Sequence, residues 1–334
     1  MPASMRLISH PAYVSARREF VRAIDRAQPG SIVFLVGMPG AGKTELRIDV
    51  MNELAGDISL WGLGRTPILG LRAAPTDRAF FSPKDFQARL RNELRAPVMD
   101  WYRPKDKAAA KSFEAFKKEI GEAHVFWEEQ RRTESENAMR RQFEDGARAR
   151  CIKYLFVEQG GSLVRTQRGH EPHDQMYSLM CEAEEIPLVL IMVGTHRMAA
   201  LWQGDPEIRR RSQRILFPRY KNSDADLYLL LRLCTNVTRN LQFACDATPA
   251  ETIKLVYYAT CGVFDELRTF YERAESVREN EGVPAITLDH LKSAVLPPKD
   301  FEGLYLACAN FDALEGSADL STMLKLGESE GAAK

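Results

Sequence analysis

Ser31-Ile-Val-Phe-Leu-Val-Gly-Met-Pro-Gly-Ala-Gly-Lys-Thr44 is an apolar, β-branched run of strand length that leads into a complete GxxxxGK[ST] loop at Gly37–Thr44. The following Glu45–Leu54 reads as a helix, so strand, loop and helix stand in the order a phosphate-binding loop requires. In such a loop, glycines let backbone amides turn inward onto the β- and γ-phosphates. Lys43 adds a positive charge there, and Thr44 offers a hydroxyl to Mg²⁺. The helix aims its positive dipole end at the same point. Gly37, Met38, Pro39, Gly40, Ala41, Gly42, Lys43, Thr44 and Glu45 are therefore the expected ATP-binding residues.

Strands alternating with helices extend outward from this loop. Ala12–Ala27 reads as a helix. Ile68–Ala73 reads as a strand. Ser82–Leu94 reads as a helix with Ser82 as its cap and Pro83 in its first turn. Cys151–Val157 and Pro187–Val193 read as further strands, the second ending at Gly194-Thr195. This pattern predicts an α/β fold with a parallel sheet flanked by helices. From about Asp224 the chain turns helical, over Asp226–Val237, Pro249–Ala259, Glu266–Asn280 and Leu288–Ala294. The expected organisation is an α/β domain over 1–222, a small all-helical domain over 223–299 and a C-terminal tail over 300–334. Periodicity fades past Pro297-Pro298, although Leu320–Leu326 has the character of a short partner-binding segment.

A highly charged stretch at 105–150 interrupts the α/β pattern. Phe113, Phe116, Ile120, Phe126 and Trp127 are interspersed among its charges, and it reads as one or two long, largely exposed helices. Either a solvated insertion or an element contacting DNA or another subunit fits that composition.

Composition narrows the partners. Basic and acidic residues number 46 each in 334 residues, so no net field draws the chain onto nucleic acid or a membrane. DNA contact would have to come from local patches multiplied by assembly, with Arg72, Arg78, Lys84 or the charged insertion as the expected contributors. The six cysteines form no CxxC pair and read as small buried apolar residues in a reducing compartment. The longest apolar run, Ile186–Val193, is strand-sized, and the N-terminus has no signal-peptide core. A cytoplasmic chain without a membrane partner is the expectation.

A second acidic site should close the nucleotide centre. The strand Tyr154-Leu-Phe-Val157 runs into Glu158-Gln159, where ATPases of this kind commonly carry Asp-Glu. In one register Glu158 organises the metal and Gln159 takes the catalytic place, where an amide cannot accept a proton from water. In a register shifted by one, Glu158 is the catalytic carboxylate and the metal-organising acid is missing. Thr195, at the next strand end, is placed to sense the γ-phosphate or hold the water. Arg210 and Arg211, in the basic run Glu207–Arg214, suit phosphate recognition across a subunit boundary, or form a solvated basic cluster. Arg268 lies in the helical domain and is expected to reach the phosphates or to stay on the surface.

Taken in order, these features resemble the AAA+ ATPases of transposons, the TnsC/TniB group, with MuB and IstB more distant. The resemblance runs from about Ala12 to Ala294. Its more specific parts are Ile186–Thr195 with its Val-Gly-Thr ending, Arg210-Arg211-Ser212, Phe217-Pro218-Arg219-Tyr220, and Cys261–Ala274. A further match lies in Ala73–Arg78 leading to Phe81–Phe86. It implies an ATP- and Mg²⁺-dependent homo-oligomer, ring or filament, on double-stranded DNA, which links a target-selection protein to a transposase. It also implies Lys43 and Thr44 as Walker A, Glu158 and Gln159 at Walker B, and Thr195 at sensor 1. Arg210 or Arg211 becomes the arginine finger and Arg268 the sensor 2 residue. A signalling or defence NTPase that does not act on DNA is the competing reading. A small-molecule P-loop kinase is a third, though no acceptor-site signature supports it.

Overall fold

In the computed structural model of the chain, residues 10–75, 80–124, 135–166 and 171–316 are described, without the side chains of 121–124. Five strands, β1 (Ile32–Gly37), β2 (Ile68–Arg72), β3 (Tyr154–Glu158), β4 (Val189–Gly194) and β5 (Ser212–Phe217), form one sheet in the order β2-β3-β4-β1-β5. Every pairing is parallel. β1 and β4 lie in the interior of the sheet, and all their residues are buried. That explains their unbroken apolar runs, since a parallel strand covered on both faces cannot alternate.

The registers align the strand ends. Arg72 pairs with Glu158, Glu158 with Val193, and Gly194 with Val36. Because all strands point the same way, everything that follows β1, β2, β3 and β4 emerges along one rim. Ligand sites of open parallel sheets lie at this carboxyl edge.

Among the described residues up to Ser212, seven helices accompany the sheet: α1 (Pro11–Arg26), α2 (Lys43–Ala55), α3 (Pro83–Arg95), α4 (Lys107–His124), α5 (Glu136–Ala149), α6 (Pro172–Glu185) and α7 (Pro206–Arg211). α3 starts as its sequence predicts, with the Ser82 hydroxyl accepting from the Asp85 amide at 3.2 Å. The charged insertion is two helices, α4 and α5. Their apolar residues are not a free face, because Phe116, Ile120, Phe143 and Ala147 are buried in the main core. Phe126 and Trp127 lie outside the described residues.

Four helices, α8 (Asp224–Val237), α9 (Pro249–Thr260), α10 (Phe264–Glu281) and α11 (Leu288–Ser293), enclose a second core around Leu230, Leu233, Val256, Leu267, Phe270 and Leu291. The sheet and these helices thus build two core clusters, although Cys261 and Val263 from the helical stretch join the sheet's core.

Three expectations are corrected. The basic run and apolar segment at Glu207–Tyr220 contain β5, an edge strand whose Gln213 and Arg214 are exposed and so hide its pattern. The expected tail begins with a further helix, α12 (Pro298–Glu315). Its Cys308 and Phe311 are buried in the sheet domain's core, and Phe301, Leu304 and Leu314 pack beside them. Pro298 does not stop this helix but starts it, since a first-turn proline gives up no intrahelical bond. Of the cysteines, Cys234, Cys261 and Cys308 are buried, whereas Cys151 and Cys245 are exposed. Among the described residues no helix is long and apolar enough to cross a membrane.

Candidate nucleotide-binding site

Gly37 closes β1, and α2 begins six residues later at Lys43. The turn between them needs left-handed backbone at two glycines, Gly40 (φ +71°) and Gly42 (φ +96°), a region that costs any residue with a Cβ. Gly40 has a second constraint. A Cβ there would lie 2.3 Å from the Cβ of Asp265, the second residue of α10. The helical domain thus rests directly on the loop, and the Asp265 amide donates to the Gly40 carbonyl at 3.2 Å.

Lys43 curls back over the loop. Its ammonium donates to the carbonyls of Gly37 (3.0 Å) and Met38 (2.5 Å), and burial pulls its pKa down to about 8. A buried ammonium with only neutral acceptors is a site prepared for an anion. Glu45, in the first turn of α2, faces outward and pairs with Arg103 at 3.0 Å.

Lys43, Thr44, Glu158, Gln159 and Thr195 line one cleft of about 460 Å³, together with Arg72, Arg165 and Arg197. Residues separated by more than a hundred positions meet here because three strand ends share the rim. Gln159 follows β3 in a left-handed conformation (φ 55°), which turns the chain sharply into the 3₁₀ turn Gly160–Ser162. Thr195 follows β4 and starts the 3₁₀ segment His196–Leu201.

Glu158 is not free. Its Oε1 lies 3.0 Å from Nε of Arg47, on α2, and its Oε2 lies 3.9 Å from Nη2 of Arg72. Arg47, Arg165 and Arg197 were not singled out from the sequence. Each stands within a few residues of Thr44, Gln159 or Thr195, and that proximity is the signal that could have found them.

Three arginines named from the sequence are not among the residues lining this cleft. Arg211 is held by Glu184 (2.7 Å) and Glu207 (3.5 Å), whereas Arg210 is exposed. Arg268 pairs with Glu272 (3.2 Å) on its own helix and with Asp265 (2.8 Å), the residue that touches Gly40 of the loop. Arg78 lies outside the described residues.

Phosphates fit this site. The glycine turn, the helix N-terminus, the ammonium of Lys43 and three lining arginines all present positive potential to one cleft. Mg²⁺ fits less well on the protein side. Thr44 can offer its hydroxyl, but Glu158 is the sole acid among the lining residues and is already paired.

No family model and no curated protein matches the chain by sequence. Solved structures do match it in fold. Cdc6p from Pyrobaculum aerophilum superposes with a TM-score of 0.54 at 12% identity, over 89% of this chain and 70% of that one. A Walker-type ATPase of Pyrococcus abyssi superposes at 0.51 and 14% identity, over 90% of this chain and 74% of that one. The chain therefore has the fold of the AAA+ P-loop ATPases, with a five-stranded parallel sheet and a C-terminal helical region.

Proposed function

We propose that this protein is an ATPase whose nucleotide state controls its assembly on DNA. The observation that carries the reading is the meeting of Lys43, Thr44, Glu158, Gln159 and Thr195 in one cleft at the carboxyl edge of the sheet. In this reading Lys43 and the loop amides bind the phosphates, and Thr44 holds Mg²⁺ where it accompanies them. Gln159 faces the attacking water beside Glu158, and Thr195 orients it. Lewis-acid neutralisation of the phosphates is the chemistry Mg²⁺ supplies. Asp265 ties the helical domain to the loop, so a change in the loop moves that domain.

The finer role follows the resemblance to the TnsC/TniB group: a transposition regulator that oligomerises on double-stranded DNA and links target selection to the transposase. With zero net charge, DNA affinity is expected to come from many copies together, each contributing exposed cations such as Arg72 and Lys84. Sizing and imaging the chain with DNA, ATP, both or neither tests this. Assemblies that need both support it. A chain that stays monomeric on DNA with ATP favours the signalling reading.

A further inference from the structure

Thr44 and Arg47 stand three residues apart on α2 and so share a face. That face looks toward the end of β3. Gly70 in β2 leaves the room: a Cβ there would meet Met51 Cε at 2.9 Å and Arg47 Nη1 at 3.6 Å. The Arg47 side chain is 9% exposed and that of Glu158 is 13% exposed, so their 3.0 Å pair is largely shielded from water. The other Glu158 oxygen faces Arg72. Both oxygens of the cleft's one lining carboxylate are thereby opposed by guanidinium groups.

Mg²⁺ dehydrates reluctantly and is usually held by one or two carboxylates together with phosphates. A carboxylate already balanced by arginine gains less from a dication. Turning to one would also take from buried Arg47 its nearest counter-charge, leaving only the more distant Asp100 and Glu45, which is costly. Meanwhile Lys43, Arg72, Arg165 and Arg197 already offer four cations to a polyphosphate.

We propose that Arg47 is a positioning residue that holds Glu158 away from the metal, so that nucleotide binding by this chain depends little on Mg²⁺. This rests on the phosphate-loop reading above. The prediction for the pair is specific. Without Arg47, Glu158 repels the phosphates when Mg²⁺ is absent and reaches them through Mg²⁺ when it is present, so metal dependence appears.

The test measures the affinity of the full chain for a fluorescent ATP analogue, with Mg²⁺ and with EDTA. In the wild type the affinity should fall less than about threefold on metal removal. In Arg47→Met it should fall at least about tenfold, within the range measured for coupled neighbouring charges. The double variant Arg47→Met/Glu158→Gln removes both charges and should return to less than about threefold. A tenfold fall in the wild type, or an unchanged ratio in a folded Arg47→Met, overturns the proposal. Should Arg47→Met fail to fold by circular dichroism, the wild type and the double variant decide it. Lys43→Ala separates the two levels. If it lowers affinity in both conditions, the loop reading stands whatever Arg47 does. If the wild type binds no nucleotide in either condition, both fall.

Discussion

The backbone amide of Asp265 donates to the carbonyl of Gly40 at 3.2 Å, joining the first turn of α10 to the tip of the phosphate loop. One hydrogen bond and one close approach thus connect the helical domain to the residues that would sense a nucleotide. Asp265 also places a carboxylate beside an anion site and holds Arg268 at 2.8 Å.

Asp265→Asn removes a negative charge near the phosphates and releases Arg268. Nucleotide affinity should rise a few-fold at low salt, and less at high salt because the Asp265 side chain is 48% exposed. Gly40→Ala should act the other way. The left-handed backbone alone costs about 1–2 kcal/mol, and the new methyl collides with Asp265. A melting curve and a nucleotide titration of both variants check the pair. Equal affinity in all three proteins would mean that the contact does not report on the loop.

Lys43 sets a pH window for binding. Burial holds its pKa at about 8, well below the ordinary lysine value of 10.5. Phosphate oxygens favour the charged form, so binding should raise the pKa and take up a proton above pH 8. Affinity should be flat from about pH 6.5 to 7.5 and fall above 8. Calorimetry at pH 8.5 in two buffers of different ionisation heat reads the proton directly. In Lys43→Arg the fall should vanish, since arginine stays charged.

His10 makes a separate prediction about stability. Its ring stacks on Phe264 with centroids 5.5 Å apart, and its Nδ1 lies 2.9 Å from the Tyr220 hydroxyl. Burial lowers its pKa to about 4. The unfolded chain takes up this proton near pH 6.5 and the folded chain only near 4. Acid therefore favours unfolding between those values, and stability is lost as pH falls through that window, by about 2–3 kcal/mol at its lower end. Glu93 and Glu182, raised by burial to about 7, act in the opposite direction. The readout is thus the difference between wild type and His10→Phe in urea melts. That difference should shrink as pH rises from 4 to 6.5.

Much of this arrangement was legible in the sequence, and the exceptions have physical causes. β1 and β4 declared themselves because strands buried on both faces must be apolar throughout. The Ser82 cap was readable because capping is local. β5 was not, since an edge strand exposes Gln213 and Arg214 and leaves only the short apolar run Ile215–Phe217. Periodicity missed α12 because one face meets the sheet domain while Tyr305 and Leu306 remain exposed on the other. Pairing of Arg47 with Glu158 depends on two elements meeting across the fold. A one-dimensional reading holds no signal for which arginine a given glutamate will find.

The two candidate arginines in α7 now differ. Arg211 is anchored in its own subunit by Glu184 and Glu207, whereas Arg210 is exposed and makes no ion pair among the described residues. An arginine acting across a subunit boundary must be free to leave its own surface. Arg210→Ala should therefore leave nucleotide affinity of the monomer within about twofold and abolish ATP-driven assembly, given that surface substitutions away from buried features are nearly neutral. Arg211→Ala should lower the melting temperature slightly and assemble normally. Light scattering of both variants with ATP and DNA distinguishes them, and the reverse pattern would transfer the role to Arg211.

On the proposed function, Gln159 is the residue expected to set how long an assembled state lasts. It lines the cleft immediately after β3, in the place where a water-activating carboxylate is expected in one of the two registers. A positioned base contributes about 10²–10⁴-fold to such a reaction, and an amide cannot take the proton. Glu158, opposed by the charge of Arg47 at 3.0 Å, is poorly placed to substitute. Wild-type turnover should accordingly be slow, and Gln159→Glu should accelerate phosphate release and shorten the lifetime of the assembly on DNA. Glu158→Gln should leave the slow rate nearly unchanged while releasing Arg47. The shifted register predicts the reverse: brisk wild-type turnover, abolished by Glu158→Gln and indifferent to Gln159→Glu. Steady-state phosphate release by the three proteins, with DNA present, decides between them.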